Sequence, residues 1–535
     1  MSKRSETFLV FILIAFFGVL YIHFADLRYF VDGLNTAWLM ETSNTWIVHP
    51  NHPLFPLVPH ILFALLGGES ETFTGLGFLL IWASVFGMIS CWGVWLLARE
   101  VGGSICGSIF ILLLFGFSSG IWYFNATPNQ YSTALAAYIF TLYAIIRIAR
   151  ASSSISVRHS FLLGLMIGIA ILIHQVNVLL LIPLALIILR TDGAIGQKSI
   201  RFLTAFIVAL IVAVGFTVLS GILIVGIHSL PDFIEWQKSY ITQAQYWVHG
   251  PVDAVQRTAR GAFDLHLAHT FHSEGLFGDW SGRLNPGILL LRLAQAFVIL
   301  FIVIEAVRGL VEYFRDKSKP YIRTVGLYAA LPFIIFTLIF TPESTNYRIF
   351  YLPGWLILMI PVFERHFHFE KPRFRNLWLP VMVIITLFTA NFTIKFYPES
   401  IPENNPYIAE AGLLSIYFGP GDLVIYSGAE EDYLRSQYLR YFSRSDILIL
   451  PELIESVRSD PGRVVDDFLE RTDRGNLIVV HEDALDSVED VEWINKFYRT
   501  DIRPGELADF IDEHTETGTS MVINDKQYIL IVPSE

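Results

Sequence analysis

Long apolar runs separated by short charged joints fill the chain as far as residue 396, and there the pattern stops. An α-helix needs about 20 consecutive apolar residues to cross the hydrocarbon of a bilayer. Runs near that length predict eleven helices, at 7–26, 73–98, 103–123, 129–149, 159–174, 176–190, 201–228, 286–311, 322–341, 347–364 and 376–396. The pair 159–174 and 176–190 is short and bends at His174-Gln175, which suits a buried hairpin of two tilted helices. A further apolar piece, Leu54 to Leu66, is too short to span. It is expected to lie along the interface or to re-enter, which backbone tolerates only where protein covers it or it lines a cavity.

After residue 397 the period changes. Gly421–Tyr426, Asp446–Leu450 and Asn476–Val480 read as strands, and Glu430–Phe442, Gly462–Arg471, Val488–Tyr498 and Leu507–Glu513 as helices. Ser520–Ile523 and Gln527–Val532 flank a turn at Asn524-Asp525-Lys526 and read as a closing hairpin. Such alternation predicts a small parallel or mixed sheet covered by helices. The expected fold is a polytopic α-helical membrane body over residues 1–397, with long outer loops at 27–72 and 229–285, then a soluble α/β domain over 398–535. Composition agrees with the membrane assignment: 53% of residues are hydrophobic and the mean hydropathy is +0.52. Charged residues make up 16%, against roughly 25% in an ordinary globular chain.

Charge adds orientation. Residues 1–397 carry a net +6 and residues 398–535 a net −18. With the N-terminus inside, the inner joints collect Lys3, Arg4, Arg99, Arg147, Arg150, Arg190, Arg201, Arg308, Arg323 and Arg365 among others, while the longer outer segments hold few basic residues. By the positive-inside rule the N-terminus is cytoplasmic, and an odd number of spans places the acidic tail outside the cell membrane. An acidic tail argues against nucleic acid or an anionic lipid surface as its partner. Cys91 and Cys106 both lie in apolar runs, so no disulfide staples the tail. The tail also lacks Gly-x-Gly-x-x-Gly and Gly-x-x-x-x-Gly-Lys, which leaves nucleotide binding without support. The first run follows Ser2-Lys3-Arg4 and shows no small-residue cleavage site before Asp26-Leu27-Arg28, so it reads as a retained helix rather than a signal peptide.

Candidate chemistry starts just beyond that helix. Tyr29-Phe30-Val31-Asp32-Gly33-Leu34-Asn35 puts a carboxylate at the membrane–water boundary, and Trp46-Ile47-Val48-His49-Pro50-Asn51-His52-Pro53-Leu54-Phe55-Pro56 follows as a stiff segment able to present imidazoles. An outward Asp after the first helix, then a His-Pro-rich stretch entering a short apolar helix, resembles the GT-C superfamily of integral-membrane glycosyltransferases. The likeness is closest to its protein O-mannosyltransferase-like branch. The paired short helices at His174, and Glu343-Ser344-Thr345-Asn346-Tyr347-Arg348 ahead of a Pro-containing helix, are similar to that branch too. Where the branch often has a His-Pro-Pro-Gly-like stretch, this chain has His49-Pro50-Asn51-His52-Pro53.

The resemblance implies a hexosyltransferase that takes a polyprenyl-phosphate-linked sugar to a lipid, glycan or protein acceptor at the outer face, with no cofactor. It implies Asp32 as general base, drawing a proton from the acceptor hydroxyl as that oxygen attacks the anomeric carbon. His49, His52, Tyr347, Glu343 and Arg348 are the implied donor- and acceptor-binding residues. A guanidinium matches a leaving phosphate bidentately. The plain alternative for Arg348 is a pairing with Glu343 or snorkelling to the interface. In the second outer loop, His266, His269 and His272 stand among Asp264 and Glu274; the spacing lets adjacent pairs share a helical face, but no His-Glu-x-x-His accompanies them, so a divalent metal has no strong motif. Tyr246, Trp247 and Trp280 read as interface anchors, and Gln243, Arg257 and Arg260 as unranked donors.

Two other functions fit a polytopic chain. A transporter or lipid flippase should show internal repeats and broken helices near the midplane; no repeat is visible and the polar residues cluster at the outer face. A non-catalytic scaffold displaying the acidic tail is the other. Asn125-Ala126-Thr127 matches a glycosylation acceptor in a very short turn and is expected to stay unmodified, and Asn391-Phe392-Thr393 lies inside a span.

Overall fold

The computed structural model describes residues 3–70, 73–151, 155–238, 250–267, 286–315, 320–341, 344–367, 378–486, 488–498, 500–523 and 526–533. They form two compact units. The membrane body runs to Asp26, resumes at Met40 and ends at Ser400; the second unit takes Leu27–Leu39 and the chain from Ile401 onward.

Among the described residues of the body, six helices are long and apolar enough to cross a membrane. They are Arg4–His23, Gly75–Glu100, Tyr131–Ala151, Ile195–Val225, Leu293–Arg315 and Trp378–Glu399. Their outer faces expose Phe8, Phe11, Ile207, Leu210 and Ile211, a surface that water would reject and lipid accepts. This is an integral membrane protein. Leu54–Leu65 forms a helix of 12 residues, about 18 Å long and too short to span.

The straight helix expected at 103–123 is instead a bent pair, Ile105–Phe117 and Ser119–Asn125, turned by 66°. The turn falls at Ser118, extended at φ −60° and ψ 132°. Its hydroxyl donates back to the Leu114 carbonyl at 2.7 Å. The Asn391 amide donates to the Phe117 and His266 carbonyls, each at 2.8 Å. A second break falls at His174, extended at φ −162° and ψ 125°. There the Asn177 amide donates to the Ala170 carbonyl at 2.9 Å, and the Gln175 N–H donates to the Asn51 carbonyl at 2.9 Å. Asn129 ties the turn before Tyr131–Ala151: its amide donates to Phe124 and Thr127, and its carbonyl accepts from the Tyr131 and Ser132 N–H groups. Asn125 is 1% exposed, which leaves no room for a glycan.

The helices Pro320–Ile339 and Tyr351–Phe367 meet at Gly326 and Gly354. A Cβ on either glycine would lie 2.8 Å from backbone atoms of the facing helix, so only residues without side chains allow this approach. The span expected from 347 starts one turn differently, as a tight 3-10 turn Arg348–Phe350 that feeds the helix Tyr351–Phe367.

The second unit carries a five-stranded sheet in the order β2-β1-β3-β5-β4. The strands are β1 Leu423–Tyr426, β2 Asp446–Ile449, β3 Ile478–His481, β4 Thr515–Ile523 and β5 Lys526–Pro533. β1 runs parallel to β2 (Val424 opposite Ile447) and to β3 (Val424 opposite Val479), while β5 is antiparallel to β3 and to β4. β1, and β3 as far as Val480, are apolar runs because both of their faces are covered. Leu423, Ile425, Ile478 and Val480 pack with Leu453, Phe468 and Phe510 on one face; Val424, Tyr426 and Val479 pack with Leu439, Phe418 and Tyr528 on the other.

Leu27–Leu39, expected as part of an outer loop of the body, packs with this unit because Tyr438 and Asn405 hold its backbone. The Tyr438 hydroxyl accepts from the Tyr29 N–H at 2.7 Å and donates to the Leu27 carbonyl at 3.0 Å, and the Asn405 amide reaches the same carbonyl at 2.7 Å. The Arg440 guanidinium lies 5.4 Å from the centre of the Trp38 ring. Tyr438 is buried, so Tyr438→Phe removes the acceptor of the Tyr29 N–H while the Leu27 carbonyl keeps the Asn405 amide, at a cost of about 1–3 kcal/mol. The denaturant midpoint of the purified protein is expected to fall accordingly, while Tyr417→Phe, at a position 53% exposed, leaves it unchanged.

Candidate functional site

Within the body, the structure joins residues that the sequence places far apart. His49 and His52 sit on the loop before Leu54–Leu65, where Pro50 and Pro53 restrict the backbone. The His49 Nδ1 accepts from the Asn51 N–H at 3.2 Å, and the two imidazoles stack at 3.8 Å with planes 11° apart. His52 in turn faces His174 at 5.8 Å, nearly parallel. Tyr131 lies 5.2 Å from His174, and Tyr347 lies 6.0 Å from both. The Asn346 amide donates to the Tyr131 hydroxyl at 2.9 Å. The next residue after Tyr347, Arg348, opens the tight turn, is only 2% exposed, and interacts with the Tyr351 hydroxyl.

Burial pushes the His49 imidazole down to about 4. His52 is driven well below the usual histidine range, first by burial and then by the neighbouring His49 and His174. Both rings are therefore neutral near pH 7, so each offers one donor and one acceptor rather than a charge. The fixed positive charge on the residue that follows Tyr347 is the Arg348 guanidinium, which stays protonated at any ordinary pH. The arrangement pairs neutral hydrogen-bonding rings with a buried cation, a combination suited to holding a polar group with an anionic end.

Of the residues singled out in the sequence, His49, His52 and Tyr347 belong to this assembly, and Arg348 follows Tyr347 in the chain, buried against Tyr351. Asp32 lies in the other unit, exposed on the first turn of the helix Val31–Thr42. Glu343 lies outside the described residues, as do Gln243, Tyr246, Trp247, His269, His272, Glu274 and Trp280. His266 is described and buried, its Nδ1 3.0 Å from the Ser118 hydroxyl. Arg260 stands 4.0 Å from Asp264. The sequence marks His174 as the bend of a helix pair and Asn346 as part of the Glu343–Arg348 motif without a role for either, and gives no sign of Tyr131. It also marks Asp26 as a helix exit, whereas Asp26 is fully buried beside Lys395 at 3.6 Å, and Lys395 lies 3.8 Å from Glu399 and 4.4 Å from the centre of the Tyr123 ring.

Residues 48–218 match the family described as dolichyl-phosphate-mannose-protein mannosyltransferase. The matched stretch includes His49, His52, Tyr131 and His174. Among solved structures, ArnT from Cupriavidus metallidurans bound to undecaprenyl phosphate superposes with a TM-score of 0.61 at 12% identity, covering 99% of this chain and 98% of that one. Its apo form gives 0.60 at 13% identity with the same coverage. No curated protein matches the chain in sequence. The chain therefore shares its fold with ArnT. The match over residues 48–218 is consistent with the protein O-mannosyltransferase branch of the GT-C superfamily.

The low value of His49 fixes a pH dependence. The folded imidazole takes its proton near 4 and the unfolded one near 6.5, so between those values the unfolded chain binds more protons and stability rises with pH. The contribution is complete above about 6.5 and is lost as the pH falls towards about 4. Melting curves of the purified protein and of His49→Gln are expected to diverge in that window, the wild type losing more stability on acidification; curves that stay parallel would show that His49 protonates as freely folded as unfolded.

Proposed function

We propose that the protein transfers a hexose from a polyprenyl-phosphate-linked donor to a lipid, glycan or protein acceptor at the outer face of the cell membrane. The observation that carries this reading is the ladder His49–His52–His174–Tyr347 ending at a buried Arg348, inside an apolar helical body of the GT-C fold. The solved structure of ArnT bound to undecaprenyl phosphate supports the choice of donor.

In this mechanism the acceptor oxygen attacks the anomeric carbon and the bond from that carbon to the phosphate oxygen breaks. Asp32 takes the acceptor's proton. The leaving polyprenyl phosphate gains charge, and the Arg348 fork meets it with two parallel N–H bonds in a site from which water is excluded. His49 and His52, being neutral, orient hydroxyl or phosphate oxygens without competing for the charge. Tyr347 and Glu343 complete the donor and acceptor contacts, and no cofactor takes part. The shorter helices Val157–Ile173, Gln175–Arg190, Thr324–Ile339 and Tyr351–Phe367, counted with the six long ones and the bent pair, support eleven spans. Eleven spans put the two ends on opposite sides, and the basic inner joints make the N-terminus cytoplasmic and the C-terminal unit extracytoplasmic.

Asp32→Asn retains size and hydrogen bonding but removes the base. Turnover of a polyprenyl-phosphate hexose by the purified protein is expected to fall roughly 100-fold or more, with the donor still bound. Release of polyprenyl phosphate is the readout, because a flippase would move the same lipid without cleaving it. Undiminished turnover by Asp32→Asn removes Asp32 from the mechanism, and donor that is bound but never cleaved favours the flippase.

A further inference from the structure

The C-terminal unit holds a polar cluster that sugar transfer does not use. From β1 the chain passes through the helix Glu430–Ser443 to β2 on one side, whereas β3 lies on the other side of β1 and leads on to β5 and β4. The crevice beyond the C-terminal ends of β1 and β3 is therefore the topological switch point of the parallel strands, where sheets of this kind bind their ligands. Four polar residues converge there. Ser427 follows β1, Asp432 stands on the first turn of Glu430–Ser443, His481 ends β3, and Asp483 opens the short helix Asp483–Asp486.

The imidazole of His481 is 0% exposed, and neither ring nitrogen has a hydrogen-bond partner among the described residues. Its Nδ1 faces Asp432 Oδ2 at 3.5 Å and Asp483 Oδ2 at 3.5 Å. Those separations exceed an ordinary N–H···O hydrogen bond. They match the edge of a coordination tetrahedron, since bonds of about 2.1 Å to nitrogen and oxygen set neighbouring donors about 3.4 Å apart. One donor atom from each of the three residues lies within 4.8 Å of the others. The Asp432 carboxylate is also fixed in place by two donors, as ligands of a bound ion usually are. Asp432 Oδ2 accepts from the Ser427 hydroxyl at 2.7 Å, and Asp432 Oδ1 accepts from Arg435 at 3.2 Å.

We propose that Asp432, His481 and Asp483 bind one divalent transition-metal ion, of the zinc or manganese class that takes imidazole and carboxylate together. The Lys526 ammonium, 3.2 Å from Asp483 Oδ2 on a side chain 30% exposed, occupies the same oxygen and swings outward when the ion enters. Charge favours a cation: Asp432, Asp483 and Glu410 outnumber Arg435 and Lys526, which pair with them. The ion clamps the helix after β1 to the end of β3, with water completing its coordination. This is independent of the transferase reading, since its readout is metal binding alone.

The test uses the full-length protein in detergent, stripped with a chelator and titrated separately with zinc, manganese(II) and cobalt(II). The wild type is expected to retain close to one equivalent of zinc or manganese after desalting, to gain thermal stability with it, and to give tetrahedral cobalt absorption bands. Asp483→Asn, at a partly exposed position that tolerates change, should weaken binding roughly tenfold or more and abolish the thermal gain. His481→Asn should abolish the cobalt bands, and Lys526→Met should tighten binding by removing the competing ammonium. The double variant His49→Gln/His52→Gln should still hold its equivalent, which excludes the imidazoles of the body as the site. Wild-type protein that retains no ion, Asp483→Asn that binds as tightly as wild type, or Lys526→Met that binds more weakly would each overturn the proposal.

Discussion

Where a helix in a membrane body bends or turns away from water, the freed backbone groups must find hydrogen bonds within the protein, because lipid offers none. This body meets that constraint with asparagines. Asn129, Asn177 and Asn391 each send a side-chain amide to carbonyls beside a turn or break, and the chain direction changes where those amides sit. Much of the architecture depends on this. The break at Ser118 directs a serine hydroxyl towards buried His266. The break at His174 turns a histidine sideways, where it meets the His-Pro loop from one side and Tyr131 and Tyr347 from the other.

The electrostatics follow from the same dryness. Imidazoles packed against one another and away from water give up their protons, so a ladder of histidines in this setting is a hydrogen-bonding surface and not a basic patch. A guanidinium cannot give up its proton and keeps its charge when buried. Arg348 is thus the one site residue whose charge is independent of pH, and the neutral rings beside it add selectivity for shape and hydroxyl pattern. The division suits a ligand that is uncharged over most of its polar length and anionic at one end. A sugar on a lipid phosphate has that character.

The membrane body was legible in the sequence because its signal is periodic and long: apolar runs, basic joints and a proline-braced pair of histidines all lie within short windows. Arg348 was legible too, as an unexpected charge at the head of an apolar run. What the sequence did not show arises from contacts between distant segments. Gly116-Phe117-Ser118 contains no proline, and the bend there is held by an asparagine far along the chain. Tyr131 looks like any tyrosine at the start of a span, and only the fold places it against His174. Leu27–Leu39 joins the C-terminal unit through one tyrosine hydroxyl and one asparagine amide, which no hydrophobic pattern announces. Asp432, His481 and Asp483 likewise read as ordinary polar residues on an acidic surface until β1 and β3 are set side by side.

In the proposed mechanism the buried guanidinium of Arg348 receives the phosphate of a lipid-linked donor. Affinity for a polyprenyl phosphate carrying no sugar tests it most directly, measured by titration into purified wild-type, Arg348→Lys and Arg348→Gln proteins whose melting temperatures are checked alongside. The account predicts saturable binding by the wild type, binding weakened roughly tenfold by Arg348→Lys, where charge remains but the bidentate fork is lost, and no measurable binding by Arg348→Gln. Equal affinity in all three folded proteins would show that the phosphate is held elsewhere and would contradict the account.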